Sequence, residues 1–172
     1  VEALSDLMLR TGIEPYVTNS AWIWPVCEIL HFIGMALLLG TVGAVDLRIL
    51  GLGKGLSIAM LEKFIPLGVV GFVLNAVTGF VFLAGNPAGG PIWYFTNLSF
   101  QIKMVIVLIA GLNLLAFYAT GTARAMSGLG AESAAPVNAK VIAAVSLCAW
   151  LAVIMFGRLI MYNETLLDAL GL

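Results

Sequence analysis

Residues 24–48 read WPVCEILHFIGMALLLGTVGAVDLR, and this run decides the class of the molecule. At ~1.5 Å per residue a helix of that length crosses the ~30 Å hydrocarbon core of a bilayer. It nevertheless carries Glu28 and the chain's single histidine, His31, in otherwise apolar surroundings. An ionisable side chain at that depth costs at least ~2.5 kcal/mol, and it is tolerated where it faces a bundle interior and acts there. The spacing of Trp24, Glu28, His31, Met35, Leu38 and Val42 gathers all of them on one helical face.

The rest of the chain agrees in class. Of its 172 residues 62% are apolar and only 10% charged, against ~45–50% and ~25% in soluble domains. The expected fold is all-α, an integral membrane four-helix bundle with a short N-terminal interfacial helix. Spans are expected at about 22–45, 64–84, 98–119 and 141–162, each near the ~20 residues a crossing needs. Residues 1–20 place Leu4, Leu7 and Met8 on one stripe of a polar segment, then break at Gly12, Pro15 and Asn19. They form the interfacial segment, and residues 21–172 the four-span domain. The long, small-residue-rich connection before the fourth span is expected to be mobile.

Four crossings put both termini on one side. Arg48, Lys54, Lys63, Arg124 and Lys140 lie on the other. The bias of basic residues toward the cytoplasm then places both termini on the extracytoplasmic side. Trp22, Trp24, Trp93, Tyr94 and Tyr162 supply an aromatic belt at the outer interface. Cys27 and Cys148 sit near opposite faces, on the order of 20 Å apart along the normal, too far to bridge. Asp46 and Arg48 read as a boundary pair at the inner end of the first span. No nucleotide-binding, zinc-protease or serine-hydrolase motif occurs, and no basic stripe supports nucleic-acid binding. The expected partners are the lipid bilayer and either further copies of the chain or a larger membrane complex. The chain reads as a non-catalytic or redox subunit.

Depth along the helices groups the ionisable residues. Glu28 lies about 9 Å and His31 about 13 Å below the start of the first span, Lys103 about 7 Å into the third, and Arg158 about 6 Å from the end of the fourth. Gly68, Gly71, Asn75 and Gly79 form a stripe on the second span, with Thr78 beside it, where a backbone or flat ligand approaches closely. Three uses follow. In the leading one, haem b is held by His31 as axial ligand, with Lys103 and Arg158 on the propionates and Gly68 and Gly71 giving the macrocycle room. In the second, Glu28 and His31 contribute to a metal site, copper with methionines being the candidate. In the third, Glu28, His31, Asn75, Thr78 and Asn113 line a proton or ion pathway. The bland reading has no cofactor: an accessory or structural subunit in which Glu28 pairs with Lys103 or Arg158 and fixes helix register.

The segments WPVCEILHFIGMALLLGTVGAVDLRILG, FQIKMVIVLIAGLNLLAFY and SLCAWLAVIMFGRLIMY resemble the first, third and fourth spans of an uncharacterised family of small four-span bacterial inner-membrane proteins. The resemblance covers most of the chain. It rests on Glu28 and His31, the DLRILG end of the first span, the spacing of Lys103 and Asn113, and Gly157-Arg158 before Tyr162. More distantly the chain is similar to membrane proteins of the copper-resistance D type and to four-helix cytochromes b, whose helices carry histidines near the outer face. It departs from the latter in having one histidine. The resemblance implies a site at these residues and leaves its chemistry open.

Overall fold

The computed structural model describes residues 1–53, 55–127, 130 and 133–171. Four long helices, Ile23–Leu50, Ile65–Ala84, Leu98–Ala119 and Val137–Leu159, are the first to fourth spans. All four are long and apolar enough to cross a membrane. The protein is thus an all-α, multi-pass integral membrane protein, with the short helix Glu2–Leu9 at its N-terminus. Large apolar side chains such as Val77, Leu108 and Leu115 are about 60% exposed on the bundle surface, where lipid replaces water as their solvent.

Local sequence sets the boundaries. Ser20 accepts from the backbone N–H groups of Trp22 and Ile23 and starts the first span. That span runs to Leu50, beyond the expected 45, and stops where Gly51 adopts φ +104°. The N–H of Leu52 then reaches back to the Leu47 carbonyl at 2.9 Å, a closure that needs the left-handed glycine. Pro66 opens the second span within its first turn, where its missing N–H is harmless. Asn97 caps the third by accepting from Phe100 N–H at 3.0 Å. The fourth begins at Val137 after Pro136, earlier than the expected 141, because its first turns are buried by the connections beneath them.

The first span lies centrally, packed on the second and the fourth, and the third packs on the fourth. The second span packs on the first and the third on the fourth, and the two do not pack extensively on each other. At the end carrying both termini, Glu2–Leu9 rests on the short helix Gly90–Phe95. Asn97 there donates to the Ile160 carbonyl at 2.9 Å. At the opposite end Ile49, Ile58, Met126, Ala139 and Ala143 are buried together. Arg48, 3% exposed, donates from Nε to the Leu56 carbonyl at 2.7 Å and from Nη2 toward the carbonyls of Gly130 and Ser133 at 3.4 and 3.5 Å. Asp46 and Arg48 are therefore no simple boundary pair: two residues apart on a helix they diverge, Arg48 to the connections and Asp46 into the bundle. Lys54, used above for orientation, lies outside the described residues. So do 128, 129, 131 and 132, on which part of the expected loop mobility falls. Cys27 and Cys148 are both unpaired.

Candidate functional site

His31 is the best-defined polar group inside the bundle. Thr78 on the second span places its Oγ1 2.6 Å from the Leu74 carbonyl and 2.7 Å from His31 Nδ1. A hydroxyl owns one proton, and here the carbonyl of its own helix, which can only accept, takes it. Nδ1 must then donate to Thr78, so the network assigns the proton to Nδ1 and leaves Nε2 with its lone pair. The ring packs against Phe82, centroids 5.4 Å apart, and Phe82 packs in turn on Trp24 at 4.9 Å. Gly79 leaves room beside it, since a Cβ there would stand 3.9 Å from His31 Cε1.

The other three charges disperse. Glu28 is exposed and accepts from Trp24 Nε1 at 3.0 Å. Arg158 is exposed and turns to Tyr162, with Nη2 3.4 Å from the phenol oxygen and the guanidinium carbon 5.4 Å from the ring centroid. Lys103 alone stays inside, half-buried on the third span and close enough for its charge to act on His31. Its side chain lies along Gly157 of the fourth span, where a Cβ would stand in ordinary contact, 3.5 Å from Nζ. Among the described residues Glu28 forms no ion pair with Lys103 or Arg158, which corrects the expected register-fixing network. The cause is angular: residues three apart differ by about 60° around a helix. With His31 turned to the second span, Glu28 falls at the rim. Tyr94, in the short helix outside the spans, feels it there. Burial first and the Glu28 charge second push its phenol up to about 12.

The glycine stripe is also not a cradle. A Cβ on Gly71 would stand 2.6 Å from the Gly34 carbonyl and 2.8 Å from Leu38 N, and one on Gly68 would collide with Thr41 Oγ1. Gly68 and Gly71 are therefore occupied by the first span, whose backbone crosses there in near contact. Asn75 belongs to the same crossing: its Nδ2 donates to the Gly71 carbonyl at 2.9 Å, and its Oδ1 is buried without a partner.

No group of three or more His, Cys, Asp or Glu side chains among the described residues is placed to hold a metal. The Glu28–His31 metal site is not assembled, for the angular reason above. The expected pathway is split as well. Asn113 donates to the Ile142 carbonyl at 3.0 Å, tying the third span to the fourth, and makes no bond to His31 or Thr78. Sequence reasoning gives Phe82 no role and places Tyr94 only in the aromatic belt, since aromatic character is unremarkable in a membrane chain. Asp46, expected at the membrane boundary, is instead buried, 6% exposed with Oδ2 unpartnered. Its place four residues before the helix stop was the available signal.

Compared with known proteins, the chain matches no protein-family model, no curated protein and no solved structure.

Proposed function

We propose that this protein is a b-type haem-binding membrane subunit in which His31 would hold the iron. The observation that supports it is the Thr78–His31 hydrogen bond, which engages Nδ1–H and leaves the Nε2 lone pair for a metal, as where a hydrogen bond on one ring nitrogen orients a ligating imidazole. The donor set suits the group: one oriented imidazole, with Lys103 as a cation for a carboxylate substituent. Gly68, Gly71 and Asn75 take no part, because helix packing fills them, and Glu28 and Arg158 remain at the rim. When bound, haem b supplies one-electron transfer. The chain's own part is orientation by Thr78, exclusion of water by Phe82 and charge balance by Lys103.

The proposed setting is a bacterial inner membrane with both termini extracytoplasmic. Arg48, Lys63, Arg124 and Lys140 at the opposite end support that sense. The proposed role is an electron-transfer or anchoring subunit within a homo-oligomer or larger complex, akin to small four-span bacterial membrane proteins. Oxidised and dithionite-reduced spectra of protein purified gently from its own membrane test the reading. A Soret band lost in His31→Ala and retained in Arg158→Ala is the expected result. A colourless preparation with an intact helical fold overturns it.

A second reading has its own observation. The close Gly34–Gly71 crossing, with the His31–Thr78 bond beyond it, also describes an interhelical tie in a cofactor-free accessory subunit. In that case His31→Ala lowers the melting temperature and no spectral band exists to lose.

A further inference from the structure

The half of the bundle away from the termini holds a cavity of about 420 Å³ that none of His31, Glu28, Lys103 or Arg158 lines. It arises because the second and third spans pack on the first and fourth rather than on each other. Val69 and Phe72 of the second span and Leu114 and Tyr118 of the third both line it and are about half exposed on the outside of the bundle. Its mouth is therefore a lateral opening between two spans, and whatever enters comes from the bilayer.

The inner wall is not uniformly apolar. Asp46 lines the cavity, is 6% exposed and has an Oδ2 with no hydrogen-bond partner. Ser146, 9% exposed, lines the same cavity. Asn113 lines it too, its amide nitrogen already donating to Ile142. A buried polar oxygen left unpaired is costly, and here the deficit lies in a space of small-molecule size. The unmet demand is for a donor, because Oδ2 accepts. Phe72, Phe117, Tyr118 and Trp150 supply flat apolar faces on the remaining walls, while Gly111, where a Cβ would meet nothing within 4 Å, keeps the lining thin.

We propose that this cavity is a binding site for a lipid-soluble hydroxyaromatic molecule, its ring between the aromatic walls, its hydroxyl donating to Asp46 and its alkyl tail leaving between the second and third spans. The site is separate from the His31 cluster and independent of haem.

A matched pair of probes tests it: a bromo-4-nonylphenol and its methyl ether, which share ring, tail and bromine and differ only in the hydroxyl donor. The protein, in lipid nanodiscs with Trp22, Trp24 and Trp93 changed to Phe, keeps Trp150 in the cavity wall as its one indole. Contact quenching of Trp150 is then followed against probe per lipid. The phenol is expected to saturate the quenching at about ten-fold lower loading than the ether, the worth of one buried hydrogen bond to a carboxylate. Asp46→Leu should abolish that difference. Gly111→Leu guards against a variant that fails to fold: a Cβ there meets nothing within 4 Å, and the added side chain should block both probes while helicity is kept. Equal quenching by phenol and ether would show a space filled by any lipid and overturn the ligand class. Unsaturable quenching would remove the site, and a phenol preference that survives Asp46→Leu would remove Asp46 from it.

Discussion

His31 Nδ1 and Thr78 Oγ1 stand 2.7 Å apart and join the first span to the second inside the bundle. The Thr78 proton is spent on the Leu74 carbonyl at 2.6 Å, so the histidine is the donor. Thr78→Val keeps the shape and removes the acceptor, leaving a buried imidazole N–H unpaired at a cost of about 1–3 kcal/mol. Thermal unfolding in detergent should show that loss, and Thr78→Ser should recover most of it. Equal melting temperatures for Val, Ser and the parent would contradict the bond.

The crossing of the first two spans rests on absent side chains. Gly71→Ala would place a Cβ 2.6 Å from the Gly34 carbonyl, and overpacking of this kind costs about 1–3 kcal/mol. Gly40 is the control, since a Cβ there meets nothing within 4 Å. Gly40→Ala should be neutral or slightly stabilising, because alanine is the better helix former. Calorimetry of the two variants side by side separates packing from propensity.

Tyr94 reports on Glu28. With its phenol pushed up to about 12 by burial and the nearby carboxylate, Tyr94 should resist ionisation when an ordinary tyrosine, near 10, has lost its proton. The neutral phenol is the form the folded state prefers. Its stabilising contribution is therefore complete below about pH 10 and fades as pH rises from about 10 toward 12. Ultraviolet difference titration against Tyr94→Phe isolates this group from the other three tyrosines. Glu28→Gln should move its midpoint downward but not back to 10, since burial is the larger cause.

Arg48 holds the connections at the end opposite the termini through the carbonyls of Leu56, Gly130 and Ser133. Arg48→Met preserves the stem and removes the donors, with an expected loss on the order of 2 kcal/mol. Limited proteolysis should then cut the connections around residues 52–57 and 127–136 sooner than in the parent. The region near Asn97 and Ile160, at the other end, should keep its resistance.

The class of this protein was written in its composition and in runs such as residues 24–48, because lipid demands long, internally hydrogen-bonded apolar helices whatever their neighbours. Helix stops were local as well: Gly51 ends the first span through a backbone angle that glycine adopts without strain. His31 also stood out unaided, since an ionisable residue in an apolar run is a signal in one dimension. What it faces did not. Depth grouped Glu28, His31, Lys103 and Arg158, but depth says nothing of azimuth. A 60° turn sends Glu28 to the rim while His31 meets Thr78, and Lys103 lies inside along Gly157 of the fourth span. The glycine stripe was legible as a close-approach surface, yet only the fold determined that the first span, rather than a ligand, lies against it. The burial of Asp46 and the cavity beside it came from tertiary structure alone, because an opening between the second and third spans is a property of which helices pack together. Sequence periodicity fixes the faces of each helix, and only the three-dimensional arrangement chooses the partner for each face.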